Sequence, residues 1–307
     1  MSPEISVVLC TWNRASLLGA AIDSLLDQQN APAHDIVVID NASTDATRET
    51  VERRIGADGR LRYAFESRQG LSYARNTGVR VTRGRIVAFI DDDVRVERDW
   101  LQSLRAAFIR HADAACVGGP VRPLWPAADL PRWLTVRHWA PLGVQDYGPG
   151  ELRIDASRPL CLIGANLAFR RDALDAVGGF SPDLQRVADA PGSTEDHDCH
   201  VRLWEAGRFG IYDPAVRATA IVTPSRVEKT HHRRWHYGHG RYVARMRLPE
   251  IEASRVRLCG APAHLLRQAF TDARHWAGLM LTRDTTAAFE HEVGLWFTAG
   301  FLRERWG

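Results

Sequence analysis

Residues 85–93 read Arg-Ile-Val-Ala-Phe-Ile-Asp-Asp-Asp, an apolar run that ends in three adjacent carboxylates. The apolar part has the length and composition of a buried strand. Adjacent acids repel one another and lose hydration where they are enclosed, so such a cluster persists most readily beside a cation. Mg²⁺ usually takes one or two carboxylates together with substrate phosphate oxygens. The stretch indicates a metal–diphosphate site, and a solvated strand end before a helix is an equally open interpretation.

Upstream of this run, strand and helix patterns alternate. Strand patterns lie at residues 5–10, 35–40 and 61–65, and helical patterns at about 16–28, 43–54 and 71–82. Successive βα units predict an α/β fold with a parallel, doubly wound sheet and helices on both faces. Ligands bind beyond the carboxyl ends of such strands. We expect three polar clusters to converge there: Thr11-Trp12-Asn13, Asp40-Asn41 and Asp91-Asp92-Asp93.

The rest of the chain has a different pattern. Residues 118–159 are rich in Pro, Gly and Trp and predict irregular structure. Residues 160–169 have the pattern of another core strand, and residues 192–198 open a helix. Two apolar stripes at helical spacing, over residues 265–280 and 289–301, predict helices at the end of the chain.

Composition limits the classes of function. With 307 residues, 45% hydrophobic and 25% charged, the chain has the composition of a soluble globular protein. The net charge of +3 implies no nucleic-acid partner. An immediate strand pattern and the lack of a long apolar run predict no signal peptide and a cytoplasmic location. The five cysteines are expected to be small buried residues in a reducing compartment: Cys10, Cys116, Cys161, Cys199 and Cys259.

A series of motifs resembles the family 2 glycosyltransferases. In chain order they are CTWNRASLL from Cys10, VVIDNASTDAT from Val37, QGLSYARNTG from Gln69, FIDDD from Phe89, GANLAFRRDAL from Gly164 and TEDHDCHVRLWEAG from Thr194. Each motif alone is weak, but the ordered set is specific and covers about residues 5–213. The resemblance implies a GT-A fold, a nucleotide-diphosphate sugar donor, a divalent cation (Mn²⁺ or Mg²⁺) and inversion at the anomeric carbon. It also implies a nucleotide-sugar-binding half over 1–118, an acceptor-binding half over 119–225 and a helical extension over 226–307.

The resemblance assigns roles to the acid cluster. Asp93 is implied to touch the metal, and Asp91 to lie near the ribose and contribute to the metal site, with Asp92 between them on the donor side. Asp40 resembles the acid that binds the nucleotide base, and a carboxylate accepts a hydrogen bond from a uracil or guanine N–H. A turn or helix-start acid is the commoner role of such an aspartate.

Other donor contacts are implied by the same motifs. Thr11 and Asn13 resemble first-loop contacts to the nucleotide. Arg75 and Asn76 resemble residues that reach the diphosphate, for which an arginine supplies planar donors. Asn166 belongs to a stretch that lines the space between donor sugar and acceptor. A surface position on a helix is the alternative for Arg75.

The Glu195-Asp196 pair resembles the family's catalytic acids. An acceptor hydroxyl loses its proton as it attacks, and a carboxylate within hydrogen-bonding reach can take that proton. The resemblance makes Asp196 the base and Glu195 an orienting or acceptor-site residue. A helix start capped by Ser193 or Thr194 is the structural alternative.

The chain also departs from the family. Many relatives carry a histidine on a strand after the catalytic acids, and residues 215–222 contain none. Metal binding then rests on Asp93, the diphosphate and water, or on a histidine from 231–240 that closes over the site. A basic surface helix is the alternative for that segment. The Trp- and Arg-rich C-terminal helices are expected to pack on the catalytic domain, on a second copy, or against the inner face of a membrane near a lipid-linked acceptor. The acceptor otherwise stays open between a glycan and a small molecule.

Two other functions compete with glycosyl transfer. A sugar-phosphate nucleotidyltransferase usually carries a Gly-rich loop after the first strand, and residues 11–14 contain no glycine. A non-catalytic nucleotide-sugar-binding module would not need both the acid cluster and Glu195-Asp196.

Overall fold

The structure is a computed structural model that describes residues 3–56, 59–127, 129–187, 192, 194–253, 256–258 and 260–306. The chain forms two compact units. The first contains residues 1–124, 143–188 and 195–221, and the second contains residues 125–142, 189–194 and 222–307. The second unit therefore takes residues 125–142 from the segment predicted to belong to the acceptor half.

The first unit alternates strands and helices from its start. Its strands are β1 (Ile5–Thr11), β2 (His34–Asp40), β3 (Leu61–Phe65), β4 (Ile86–Asp91), β5 (Val94–Val96), β6 (Cys116–Gly118), β7 (Val121–Leu124), β8 (Leu152–Ile154), β9 (Asn166–Arg170), β10 (Gly210–Tyr212) and β11 (Ala218–Ile221). Its helices are α1 (Ala15–Leu26), α2 (Thr47–Glu52), α3 (Leu71–Val81), α4 (Trp100–Arg110), α5 (Arg171–Ala176) and α6 (Glu195–Glu205). The predicted elements of the first 91 residues are confirmed to within a few residues at each end.

The main sheet has the strand order β3-β2-β1-β4-β9-β6-β10-β8. The first four of these strands are parallel, as predicted, while β9 runs antiparallel to both β4 and β6. A smaller sheet has the order β5-β11-β7. Residues of β1 and β4 are buried on both faces of the sheet, which explains their continuous apolar runs.

The strand predicted at residues 160–169 is wrong in its first half. The strand β9 begins only at Asn166. The backbone N–H of Asn166 donates to Ile163 O and closes a turn before the strand. Leu162 is fully buried in the core although it lies outside any strand. The apolar character of residues 160–165 therefore reflects packing of a turn rather than sheet pairing.

The cysteines of the first unit are thiols enclosed in protein. Cys10, Cys116 and Cys199 are buried as predicted, and Cys161 is partly exposed. Burial raises the pKa of all four thiols, which keeps them protonated at neutral pH. Cys259 lies outside the described residues.

The second unit is mainly helical. Its elements are α7 (Lys229–Met246), α8 (Pro249–Glu252), β12 (Arg257–Leu258), β13 (Ala261–Pro262), α9 (Ala263–Leu281) and α10 (Thr285–Trp306). The predicted stripe on α10 is largely buried, through Phe289, Val293 and Phe301. The predicted stripe on α9 is not, since Phe270 is 66% exposed. Among the described residues, no helix is long and apolar enough to cross a membrane.

Histidines of α7 pack inside the second unit. His232 is fully buried, and its ring centroid lies 4.9 Å from Trp133 and 5.9 Å from His138. His232 Nε2 lies 3.1 Å from Arg226 O, and within the described part of the chain its Nδ1 is buried without a hydrogen-bond partner. His231 Nε2 lies 2.9 Å from Pro141 O. These contacts differ from the basic surface helix that is one of the two alternatives for residues 231–240.

This packing predicts acid sensitivity. Burial, reinforced by His231 and His138, lowers the pKa of His232 to about 3, and burial lowers the pKa of His236 to about 4. An unfolded histidine binds a proton near pH 6.5, so below that value the unfolded chain binds more protons. We expect the free energy of unfolding to fall as pH drops from about 6.5 toward 3, by up to about 1.4 kcal/mol per pH unit from His232.

Denaturant unfolding at pH 7.5, 6.0 and 5.0 measures this dependence. His232→Phe keeps an aromatic ring between Trp133 and Phe289 and should reduce the pH dependence below pH 6.5, leaving the part that His236 contributes. The exposed His264 provides the control variant His264→Gln, which should leave it unchanged. Equal slopes for His232→Phe and the parent protein would contradict the assignment.

Candidate active site

The strand order brings the predicted polar clusters together at one edge of the main sheet. The strand β1 lies between β2 and β4, and the registers pair Thr11 with Asp40 and Cys10 with Asp91. Because these strands are parallel, their carboxyl ends lie side by side. The predicted convergence of the three clusters is confirmed.

Arg14, which follows β1, binds the acids at the end of β4. Its Nη1 donates to Asp92 Oδ1 at 3.0 Å and to Asp93 Oδ2 at 2.9 Å. Thr11 Oγ1 donates to Asp92 Oδ2 at 2.8 Å, so both oxygens of Asp92 accept hydrogen bonds from protein groups. Both aspartates are buried. Thr11 at the end of β1 and Arg14 just after it therefore both hold Asp92 by hydrogen bonds.

Asp91 is the most accessible of the three acids, with 31% of its side chain exposed. Its Oδ1 lies 3.7 Å from Arg75 Nη2. Burial raises the pKa of Asp91, with Arg75 opposing the shift and Asp93 adding to it. Burial also raises the pKa of Asp92 against the attraction of Arg14. Enclosure therefore disfavours the ionised form of both carboxyl groups, and the nearby arginines favour it.

Arg75 connects this cluster to the predicted catalytic acids. It lies on α3 and is only 2% exposed. Its Nη1 donates to Glu195 Oε1 at 2.9 Å and to Asp196 Oδ1 at 2.6 Å. The end of β4 and the start of α6 are therefore parts of one buried ionic network.

The two acids at the start of α6 differ in exposure. The Glu195 side chain is 2% exposed and the Asp196 side chain is 18% exposed. A base must reach the proton of an incoming hydroxyl, so the geometry favours Asp196 over Glu195 for that task. In the described part of the chain the Thr194 hydroxyl has no hydrogen-bond partner, so it does not cap α6, and Ser193 lies outside the described residues.

The predicted base-binding acid is anchored at the end of β2. Asp40 is buried, its Oδ1 accepts from Ser43 N–H at 2.9 Å, and its Oδ2 accepts from Tyr63 Oη at 2.8 Å. Asn13 has a left-handed backbone (φ 51°), and its Oδ1 accepts from Thr44 N–H at 2.7 Å. These bonds tie the loops after β1 and β2 together. Trp12 between them is half-buried and belongs to the site surface rather than the core.

Two predicted donor contacts have structural partners instead. Asn166 is 1% exposed, and its Oδ1 accepts from Trp100 Nε1 while its Nδ2 donates to Pro120 O and Val216 O. Asn76 Oδ1 accepts from Phe180 N–H, and its Nδ2 donates to Phe180 O. Both amides hold neighbouring backbone in place, and their contact with the donor stays a prediction.

Sequence reasoning missed three partners in this site. Arg14 binds Asp92 and Asp93, Tyr63 binds Asp40, and the Gly164 N–H binds Asp196. The signal for Arg14 was its position directly after β1, which becomes informative once β1 is known to neighbour β4.

The acid cluster fits a divalent cation bound together with a substrate. Among the residues that the structure describes, no three His, Cys, Asp or Glu side chains are grouped so as to hold a metal ion by themselves. A substrate-bound Mg²⁺ or Mn²⁺ needs fewer protein ligands, because phosphate oxygens and water complete its shell. Asp91 and Asp93 are hard oxygen donors in a cluster of three adjacent carboxylates, and they are the residues that would hold it.

Comparisons with known proteins identify the family of the chain. A family model described as "Glycosyl transferase family 2" matches residues 6–178. The chain is 28% identical over 229 residues to a glucosyl-dolichyl phosphate glucuronosyltransferase of Haloferax volcanii, covering 73% of this chain and 71% of that protein.

Two solved structures have a similar fold. The mannosyltransferase PcManGT of Pyrobaculum calidifontis, solved with GDP-Man and Mn²⁺, has a TM-score of 0.64 at 20% identity, covering 100% of this chain and 88% of that one. GalNAc-T7, solved with UDP, GalNAc and Mn²⁺, has a TM-score of 0.56 at 17% identity, covering 83% and 52%. The expected GT-A fold is confirmed. Since the family model covers more than half of the sequence, the chain belongs to glycosyl transferase family 2.

Proposed function

We propose that the protein moves a sugar from a nucleoside-diphosphate sugar to an acceptor hydroxyl with inversion, assisted by a divalent cation. The observation that carries the proposal is the network in which Arg75 joins Asp91 at the end of β4 to Asp196 at the start of α6. Such a network brings a cation-binding acid and an accessible base to one sheet edge. The nucleotides and Mn²⁺ bound by PcManGT and GalNAc-T7 support the same donor class.

Different residues of the chain are assigned to the sugar donor and to the acceptor. Asp40 and Asn13 lie at the strand ends where the nucleoside would bind, and Asp91 and Asp93 face the diphosphate. A bound cation would offset the negative charge that develops on the departing nucleoside diphosphate. Asp196 accepts the proton of the acceptor hydroxyl as its oxygen attacks the anomeric carbon from the face opposite the leaving group. A single displacement of this kind inverts the configuration.

Stabilisation by ligands tests the donor assignment. We expect one nucleotide sugar from a panel of UDP, GDP and dTDP sugars to raise the melting temperature in the presence of Mn²⁺. The reason is mass action, which adds about 2.7 kcal/mol to the free energy of unfolding when the ligand stands at about 100 times its Kd. The same panel with EDTA is the control for the cation. Absence of any shift across the panel would overturn the proposal. The expected contact of the C-terminal helices with a membrane or a second copy stays a prediction.

A further inference from the structure

We infer that Arg75 positions the general base Asp196 and fixes it relative to Asp91, rather than contacting the donor diphosphate. The inference rests on the proposed function, since it assigns a role within that reaction. It also differs from the diphosphate contact that the sequence motif around Arg75 implies.

The guanidinium is already committed to carboxylates. Its Nη1 donates to Glu195 Oε1 and Asp196 Oδ1, at 2.9 and 2.6 Å, and its Nη2 lies 3.7 Å from Asp91 Oδ1. Only 3% of the side chain is exposed. A phosphate contact needs accessible N–H groups, whereas three acids compete for this cation in a buried position. Planar, forked donors suit an arginine that must hold several carboxylates at fixed angles.

The base is held from two sides. Asp196 Oδ1 accepts from Arg75, and Asp196 Oδ2 accepts from the Gly164 N–H at 2.8 Å. Both oxygens are therefore fixed in orientation, and each carboxylate oxygen retains a second lone pair for an incoming hydroxyl. A side chain at position 164 would put a Cβ 2.1 Å from Arg75 Nη2. Glycine at this position lets the guanidinium and the backbone N–H approach the same carboxylate.

The Arg75 guanidinium also packs over an aromatic ring. Its Cζ lies 5.2 Å from the centroid of the Phe180 ring, and Phe180 is 1% exposed. Asn76 fixes the backbone of Phe180 through both polar atoms of its side-chain amide: its Oδ1 accepts from Phe180 N–H at 3.0 Å, and its Nδ2 donates to Phe180 O at 2.8 Å. Adjacent residues of α3 therefore act together, because Asn76 sets the ring on which Arg75 rests. This gives the Arg75-Asn76 pair of the motif a positioning role.

The consequence for the reaction is geometric. A catalytic group misplaced by about 1 Å can cost about 10²-fold in rate. Loss of the Arg75 fork frees Asp196 to rotate about its side-chain bonds and removes its fixed separation from Asp91. The donor site at the ends of β1 and β2 keeps its own anchors, so donor binding should survive.

Arg75→Lys tests this role because it keeps the positive charge and loses the fork. We expect kcat to fall about 10²-fold, with the Kd for a nucleoside diphosphate and Mn²⁺ changed by less than about threefold. In a double-mutant cycle, Arg75→Lys should add little to the loss in an Asp196→Asn background, because the residue being positioned no longer acts as a base. Arg80→Lys, an exposed arginine on the same helix, is the matched control and should behave as the parent protein.

Gly164→Ala provides a second variant if Arg75→Lys does not fold. It retains Arg75 but displaces the guanidinium, and it should lower kcat with nucleotide binding kept. Weakened nucleoside diphosphate binding as the main effect of Arg75→Lys, or additive losses in the cycle, would overturn the inference. A parent protein that binds no nucleotide sugar would instead overturn the proposed function, so the two failures are distinguishable.

Discussion

Asp196→Asn is expected to lower the rate of sugar transfer by about 10²- to 10⁴-fold, the usual contribution of a general base. An asparagine has nearly the same shape but cannot accept the hydroxyl proton at neutral pH. Asp196 is the more accessible acid of the pair. An incoming acceptor hydroxyl can therefore reach Asp196, whereas Glu195 is more deeply buried. The measurement is kcat with a donor that the parent protein uses.

The local hydrogen bonds add a second expectation for this variant. Both oxygens of Asp196 accept, one from Arg75 and one from the Gly164 N–H. An amide presents one oxygen and one N–H₂, so in either orientation one contact becomes donor against donor. We therefore expect a small loss of melting temperature beside the large loss of kcat.

Donor binding separates chemistry from misfolding in Asp196→Asn. The Kd of the nucleotide sugar should stay within about threefold of the parent value, less than 1 kcal/mol. Glu205→Gln, an exposed acid on the same helix, is the matched control and should transfer sugar normally. Equal turnover by Asp196→Asn and the parent protein would remove the base assignment.

Much of the donor half followed from the sequence for a physical reason. The strands β1, β2 and β4 are largely buried on both faces, so they appear as apolar runs that end in the polar residues of the candidate site. A parallel sheet places those last residues at one edge. The position of Thr11, Asp40 and Asp91 at that edge therefore follows from local patterns, whereas their side-by-side arrangement depends on the strand order β2-β1-β4.

The partners of the site residues could not be predicted in the same way. The pairing of Arg14 with Asp92 and Asp93 depends on β1 neighbouring β4, although β2, β3 and three helices separate them in the sequence. The bond from Arg75 to Asp196 joins residues 121 positions apart. No periodicity carries such information, because it arises from how α3 and α6 approach each other in the folded chain.

The turn before β9 marks another limit of pattern reasoning. Residues 160–169 are mostly apolar, and apolar runs do not distinguish a strand from a buried turn. Gly164 interrupts the run because its N–H serves Asp196 and its missing side chain makes room for Arg75. The local irregularity thus coincides with a functional contact, a common reason for a sequence pattern to fail.

Asp93→Ala is expected to remove the cation-dependent part of donor binding. Asp93 is buried at the end of β4, its Oδ2 accepts from Arg14, and its backbone carbonyl accepts from Ile221 N–H at 2.8 Å. The backbone bond to β11 holds the residue in place, so the substitution removes a ligand without releasing the loop. Charge stabilisation by a bound metal is worth several kcal/mol, so we expect the Mn²⁺-dependent gain in affinity to fall by about 100-fold or more.

Calorimetric titration of the nucleotide sugar with Mn²⁺ and with EDTA measures that gain. The parent protein should bind more tightly with Mn²⁺, and Asp93→Ala should bind equally weakly in both conditions. Asp93→Asn keeps an acceptor for Arg14 and should lose the same Mn²⁺ dependence, which separates loss of a metal ligand from loss of the ion pair. Asp99→Ala, which removes a half-exposed acid paired with Arg217, is the control. Undiminished Mn²⁺ dependence in both Asp93 variants would contradict the assignment of Asp93 as a ligand of the cation.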